Sequence, residues 1–594
     1  MRALRDGIDA KIQFANGVMN ELLRDRFEAL GVKFEQATWD AKNKDLGKPT
    51  KRRIEIADIA AQTPFHWGYV FDDIVQRRGG FDIILANPPW EVFQTDEKEF
   101  FQQYDQTIQK NKLRIENWAK QFDSLMAVRE IRDAWLAYVS RFPHMAKWYK
   151  KSPSYQHQTS IKINLYLLFV ERAFDLLRPG GECGIVIPSG IYTDLGAKGL
   201  RDLLFEHTQI QGLFCFENRK AIFEGVDSRF KFVVLTFEKS VAQRLLAAGE
   251  ANASAPPNDL LAHVAIATGG TQRFPAAFMR QDVAELDRFP AQGALWLDVP
   301  LIKRLSPGSH SVMEFKSELD IEIAEKMLRH PFLGERIEGT WNFHLSQEFN
   351  MTTDSKLFKT APGPGRLPLY EGKMIHQFES ARAPTRYWVD SDKGRSAILG
   401  KGAVDSGQEL PYQRYRFAHR AIARNTDSRT LIATVLPANC FFGHSMNADK
   451  TGASEQAQLL SCALLNSFCF DYFLRQMVTA NLTMFFLYQS PVPREPLQAT
   501  SSLRLIDRAA RLICTAPAFD DLAKSAGLGS HKDGATDAAE RAQLRAEIDG
   551  LVAHLYGLTE SEFTHIVSTF PLVQDAVKVD AHNAYRRVAS GLIQ

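Results

Sequence analysis

At 594 residues, 45% hydrophobic and 24% charged, the chain has the length for roughly three or four domains and the composition of a folded protein rather than a disordered one. A formal net charge of +2 supplies no global pull toward nucleic acid, so any such contact must come from locally clustered Arg and Lys. No apolar run is long enough to span a bilayer and the first residues lack the core of a signal peptide, so a cytoplasmic protein with no membrane partner is expected.

From Met1 to about Lys51 the pattern reads as helix, with Ile12, Phe14, Val18, Leu22 and Phe27 forming one buried stripe. The polar run from Asp40 to Pro49 reads as a loop, and residues 1–60 as a helical N-terminal segment. Residues 81–86, apolar, preceded by Gly79-Gly80 and stopped by Asn87-Pro88-Pro89, predict a buried parallel strand whose end opens onto a ligand site. The charged and aromatic stretch onward to about Lys151 predicts largely solvated helices. Residues 163–177 have helical spacing, Pro179-Gly180-Gly181 breaks it, and residues 183–188 form a second buried strand. A helix over 200–205 and strands over 210–216 and 230–237 complete the alternation of a doubly wound α/β sheet.

The stretch 247–259, rich in Ala, Asn and Pro, reads as a loop or edge insertion, and a boundary is expected near Pro307-Gly308, closing a unit of 61–310. Residues 311–500 mix short apolar runs, Pro-Gly turns and Arg/aromatic clusters, as a mixed α/β domain would. Residues 501–594, notably 539–558, predict a C-terminal helical segment. The six cysteines (Cys183, Cys215, Cys440, Cys462, Cys469, Cys514) are scattered without a C-x-x-C pair, which reads as core thiols and no metal site.

Asn87-Pro88-Pro89-Trp90 directly after a buried strand has a mechanical meaning. Two prolines fix φ and carry no amide hydrogen, so the backbone is rigid and its carbonyls are free to accept. An exocyclic adenine amine offers two hydrogens: the Asn87 side-chain oxygen and the Pro88 carbonyl can accept one each, while Trp90 stacks on the base. Such a site works by alignment and by stabilising positive charge as it develops on the amine, without a covalent nucleophile. The base must first leave the duplex stack.

Those residues, with Phe65-His66-Trp67, Asn164-Leu165-Tyr166, Ile187-Pro188-Ser189, Phe216-Glu217-Asn218 and Ile222-Phe223, resemble the gamma-class N6-adenine DNA methyltransferases. The likeness is to the C-terminal half of type IIG restriction-modification enzymes and to related phage-defence methyltransferases. It implies a partial Rossmann-like methyltransferase sheet followed by a target-recognition domain and a helical segment. It also implies S-adenosyl-L-methionine as cofactor, double-stranded DNA as partner, and Asn87, Pro88, Pro89 and Trp90 as catalytic residues. Phe223 is the position implied to pack, with Trp90, against the extruded adenine. Arg229 and Lys231 stand as phosphate contacts or as solvated hairpin charges.

In the second half, Arg366, Lys373, Arg382, Arg386, Arg414, Arg416, Arg420, Arg424 and Arg429 alternate with Tyr370, Tyr387, Trp388, Tyr412 and Tyr415 as a DNA-facing surface would. Glu371-Gly372-Lys373 lacks a partnered upstream Asp, and no nuclease is expected. The departure from the family lies upstream: residues 1–80 hold neither the Gly-x-Gly cofactor turn nor the strand that leads into it. No cofactor-binding residue is therefore assigned. The strand at 81–86, apolar on both faces, would be an exposed edge unless another polypeptide, or more of a longer chain, completed the sheet. Two alternatives stay open: methylation of RNA or of a protein amide, and a DNA-binding specificity subunit without independent methyl transfer.

Overall fold

Six strands from the first half of the chain assemble into one mixed sheet. The structure, a computed structural model, describes residues 2–104, 115–158, 162–240, 243–244, 266–267, 270–400, 402–422, 427–477 and 482–593; the expected insertion at 247–259 lies outside them. The chain forms two compact units, Met1–Val312 and Met313–Gln594.

The sheet of the first unit comprises β1 (Phe81–Ala86), β2 (Leu177–Pro188), β3 (Thr208–Glu217), β4 (Lys231–Lys239), β5 (Arg273–Arg280) and β6 (Leu295–Asp298), in the order β6-β5-β3-β4-β2-β1. β1 runs parallel to β2, and β4 lies antiparallel between β2 and β3, so β1, β2 and β3 share one direction. Helices Leu165–Leu176 and Lys198–His207 precede β2 and β3, which is the alternation that the apolar spacing predicts. β2 starts earlier than expected, taking Pro179-Gly180-Gly181 into the strand. Close approach at that end requires Gly80: its φ is +132°, and a Cβ there would meet Arg178 N and Leu176 O at 2.5 Å.

β1 is the outer strand of this sheet, with Ile83 60% and Leu85 79% exposed. A parallel strand is ordinarily buried on both faces, so these two side chains mark an uncovered face beside the strand's unpaired edge.

The N-terminal region departs from the sequence reading in two ways. Its helix ends at Ala29, after which Phe34–Gln36 pairs with Thr50–Arg52 and Trp39–Asp40 with Asp45–Leu46 in short nested hairpins. The expected stripe is not buried: Ile12, Phe14, Val18 and Leu22 are exposed, and only Phe27 enters the core with Val32, Phe34, Ile54 and Ile59. The helices between 97 and 151 are not solvated either. Phe101, Met126 and Trp135 form a core of their own, flanked by Phe100, Phe122 and Tyr138.

In the second unit two four-stranded sheets are followed by helices. One sheet is antiparallel, in the order Leu345–Ser346, Met446–Asp449, Arg416–Arg420, Ala433–Leu436. The other runs Phe358–Lys359, Tyr387–Asp390, Arg366–Tyr370, Phe441–Phe442. Helices Glu455–Leu465 and Phe468–Arg475 are almost wholly buried, and Thr500–Ile513, Ala538–Leu555, Glu560–Ser568 and Asp575–Ala589 follow.

Among the described residues no single helix is long and apolar enough to cross a membrane, and no group of His, Cys, Asp or Glu could hold a metal ion. All six cysteines are buried and free, and burial pushes the Cys183 thiol up to about 12.

Candidate active site

The carboxyl ends of β1, β2 and β3 lie along one edge of the sheet, with the start of β4 between those of β2 and β3; this is the position at which open α/β sheets bind ligands. Each strand there feeds one loop of the site. β1 leads into Asn87-Pro88-Pro89-Trp90, β2 into Ser189–Asp194, and β3 into the loop of Asn218 to Phe230.

The first loop is clamped from both ends. Upstream is β1 itself; downstream, Leu165 N donates to Glu91 O (3.0 Å) and Phe93 N to Ile163 O (2.7 Å), making a small antiparallel bridge at Val92 and Asn164. Between these anchors Pro88 is buried, whereas Asn87 is exposed and its carboxamide has no hydrogen-bond partner among the described residues. The loop is thus held at both ends while the Asn87 amide faces solvent.

Trp90 is fixed rather than free. Its indole Nε1 donates to Val186 O on β2 at 3.2 Å. The ring sits among phenylalanines: Phe230 nearly parallel at 5.6 Å and 9°, Phe232 at 5.8 Å and 27°, and Phe223 edge-on at 5.1 Å and 77°. Phe232 is buried with Phe214 and Phe216, so this cluster roots Trp90 in the sheet's core. The structure therefore brings Trp90 and Phe223 together, and adds Phe230, which the sequence reading did not single out.

Asn218, the last residue of the Phe216-Glu217-Asn218 motif, has a role that the sequence reading did not assign. It is fully buried at the end of β3, and its side chain closes the loop: Nδ2 donates to Phe223 O (2.9 Å) and Val226 O (3.0 Å), while Oδ1 accepts from Phe223 N (2.9 Å). Asn at the head of a turn is the local signal, since its short amide mimics a backbone peptide. Asn218→Ala removes all three of these hydrogen bonds from the loop, and Phe223 O keeps only Val226 N at 3.4 Å. The substitution is expected to lower unfolding free energy by about 1–3 kcal/mol, read by chemical denaturation.

The loop after β2 is held by Arg201, 1% exposed, which donates to Ile191 O, Asp194 O and Ser309 O at 2.7–2.8 Å. Burial pulls its guanidinium down to about 10. Gly190 lies against Tyr166, whose hydroxyl would be 2.4 Å from an added Cβ. Arg229 pairs with Asp227 at 2.8 Å inside the turn, and Lys231 opens β4.

In the second unit the expected basic surface is partly interior. Arg416 is 3% exposed and paired with Glu348; Arg429 pairs with Asp471 at 2.7 Å and lies over Phe468; Tyr412 is in the core. These residues are held within the fold by those contacts. Arg420 donates to Ile375 O, and Arg366 pairs with Asp390. Lys373, Arg382, Arg386 and Arg414 are exposed. Arg382 reaches Glu379 only at 3.5 Å, and Arg386 lies over Tyr387 at 4.8 Å. Arg424 lies outside the described residues.

Residues 138–223 match the family described as Eco57I restriction-modification methylase, a span running from the helices before β2 to Phe223. This region is thus restriction-modification methylase-like, as the motifs suggested. No curated protein matches the chain at a significant level. Solved structures similar to it include the type IIL restriction-modification enzyme MmeI in complex with DNA (10% identity, 89% of this chain and 59% of that one, TM-score 0.36). The type IIG restriction endonuclease BpuSI is another (12%, 69% and 52%, TM-score 0.27). A third is a nuclease-deletion mutant of the type ISP enzyme LlaGI with a DNA substrate mimic (10%, 75% and 43%, TM-score 0.34). The chain spans 59% or less of the length of each.

Proposed function

We propose that the chain is the base-holding half of a DNA methyltransferase that modifies the exocyclic amine of adenine. One observation carries this reading: an exposed Asn87 carboxamide, without a partner among the described residues, on a clamped Pro-Pro loop three residues from a fixed Trp90, at the carboxyl end of a sheet strand. Asn87 Oδ1 and the Pro88 carbonyl accept the two amine hydrogens, and Trp90 supplies the flat apolar wall. Positive charge that develops on the amine meets two carbonyl dipoles already in place, so little reorganisation is needed.

No site for S-adenosylmethionine is built among the described residues. Among the described residues the sheet stops at β1, and neither a preceding strand nor a Gly-x-Gly turn lies on its open side. The methyl donor is then held by a second body, a separate polypeptide or a further part of a longer chain, that pairs with β1. Exposed Ile83 and Leu85 support this, as an uncovered apolar edge calls for a partner.

The second unit is the proposed DNA-reading part, through the exposed cations Lys373, Arg382, Arg386 and Arg414. Arg382→Ala and Arg386→Ala are each expected to weaken DNA binding evenly across sequences and to lower the salt-dependence slope by about 1. An unchanged slope in filter binding would remove this surface from the proposal.

The deciding assay is transfer of labelled methyl from S-adenosylmethionine to unmethylated plasmid DNA by the chain, alone and with the polypeptide encoded immediately upstream. Transfer that needs the second polypeptide and is lost in Asn87→Ala supports the split enzyme. DNA binding without transfer in either condition favours a second reading, a specificity subunit, to which the absent cofactor cradle also points.

A further inference from the structure

Of the rings around Trp90, Phe230 is the one turned to water. It is 37% exposed, whereas Phe232 is 2% exposed and belongs to the core. Yet Phe230 makes the most nearly parallel stack on the indole, at 9° and 5.6 Å. Its backbone is held on both sides: its N–H donates to Asp227 O (2.9 Å) and its carbonyl accepts from Asn218 N (3.0 Å). Rotation about χ1, into the solvent it already faces, is the movement left to it. Trp90 cannot follow, because its Nε1 is bound to Val186 O.

We propose that Phe230 is a surrogate for the extruded base, occupying the face of Trp90 on which that base stacks and swinging out when it enters. The proposal rests on the base-holding reading of Asn87 and Trp90. A ring pair in contact has no room for a third ring between its members, so Phe230 and a base exclude one another on that face. Base entry therefore carries the cost of an aromatic contact. A base that also gives its amine hydrogens to Asn87 and Pro88 recovers that cost; one without the amine does not. Phe230 thereby acts as a specificity residue, by competition rather than by contact.

The test uses 2-aminopurine deoxyriboside, whose fluorescence falls on stacking, titrated into the full chain and its Phe230→Ala, Phe230→Leu and Trp90→Ala variants. Phe230→Ala is expected to bind about 2- to 10-fold tighter than wild type. Phe230→Leu, which keeps bulk but not the stack, falls between them, and Trp90→Ala abolishes quenching. Equal affinity of wild type and Phe230→Ala, with quenching still dependent on Trp90, overturns the surrogate and leaves the base pocket standing. Weaker binding by Phe230→Ala also overturns it, making Phe230 a platform for the base. Quenching that ignores Trp90 in every variant sinks the base-holding reading and the surrogate with it.

Discussion

Asn87→Ala is expected to lower methyl transfer by about a hundred- to a thousand-fold while leaving the protein folded. The magnitude is that of removing one preorganised group aimed at charge that develops in a transition state. The fold is spared because Asn87 is exposed and bonds to nothing among the described residues. Its replacement should shift unfolding free energy by no more than about 0.5 kcal/mol. Single-turnover transfer with the complementing half present reads the first quantity, and a denaturant titration the second. Asn87→Asp keeps an acceptor and should retain more activity than alanine. Equal activity in wild type and Asn87→Ala would remove this residue from the chemistry.

The largest effect on stability is expected in the second unit, from Asp320→Ala. Asp320 is 2% exposed and joins three helices. It accepts from the Tyr472 hydroxyl, from His565 Nε2 at 2.7 Å, and from Lys316 N and Ser317 N at 2.9 Å. The Ser317 hydroxyl donates to it as well, at 3.1 Å; alanine removes the acceptor of all five donors, and breaking a buried charged cluster of this kind costs about 3–5 kcal/mol. Burial pushes the Asp320 carboxyl up, but the bonds from Tyr472, His565 and Lys316 outweigh it, and the group sits below its ordinary range. Its contribution is therefore complete above the unfolded value near 3.8 and disappears as pH falls through the lower folded value.

Asp549 acts in the opposite sense, because burial, opposed by Arg429, raises it to about 6. The native state keeps that proton longer than the unfolded chain does, so its ionisation costs stability as pH rises from about 4 to about 6. Thermal melts across pH should show wild type losing stability as pH falls below about 4 and again as pH rises from about 4 to about 6, with the acid limb missing in Asp320→Ala. Superimposable acid limbs would show that Asp320 does not hold the helices together.

What the sequence discloses and what it hides can be traced to range. β1 is readable to the residue because Gly79-Gly80 and two prolines punctuate an apolar run of strand length. β5 is not, because Pro275 interrupts it and Met279 takes a positive φ beside a register shift, which breaks the alternation that marks a strand. The helices over 97–151 look solvated because Phe101, Met126 and Trp135 are diluted by charge; only their convergence in space makes a core. Arg416 looks like a surface cation until Glu348, 68 residues away, folds against it. The stripe on the first helix shows the opposite limit. Spacing identifies an apolar face, but not whether any residue of the same chain covers it.

At the site, Asn87, Trp90 and Phe223 were legible as motifs, since each sits at a fixed offset from a strand end. Asn218 stands in the motif Phe216-Glu217-Asn218, but its role and that of Phe230 were not legible, because both depend on a loop folding back on itself. Within the loop, Phe230 lies seven residues beyond Phe223, too far for local spacing to join them.

The open side of β1 sets a minimum size on whatever completes it. A lone extended peptide would satisfy the strand's free N–H and C=O groups and still leave Ile83 and Leu85 wet. A lone helix would shelter those side chains and leave the backbone unpaired. Only a body that offers a strand and a layer above it does both, and the smallest such unit is about 30 residues of βαβ. If the proposed second body completes the sheet, short mimics of one strand are expected to fail to rescue the protein, whereas a folded strand-and-helix unit is expected to succeed.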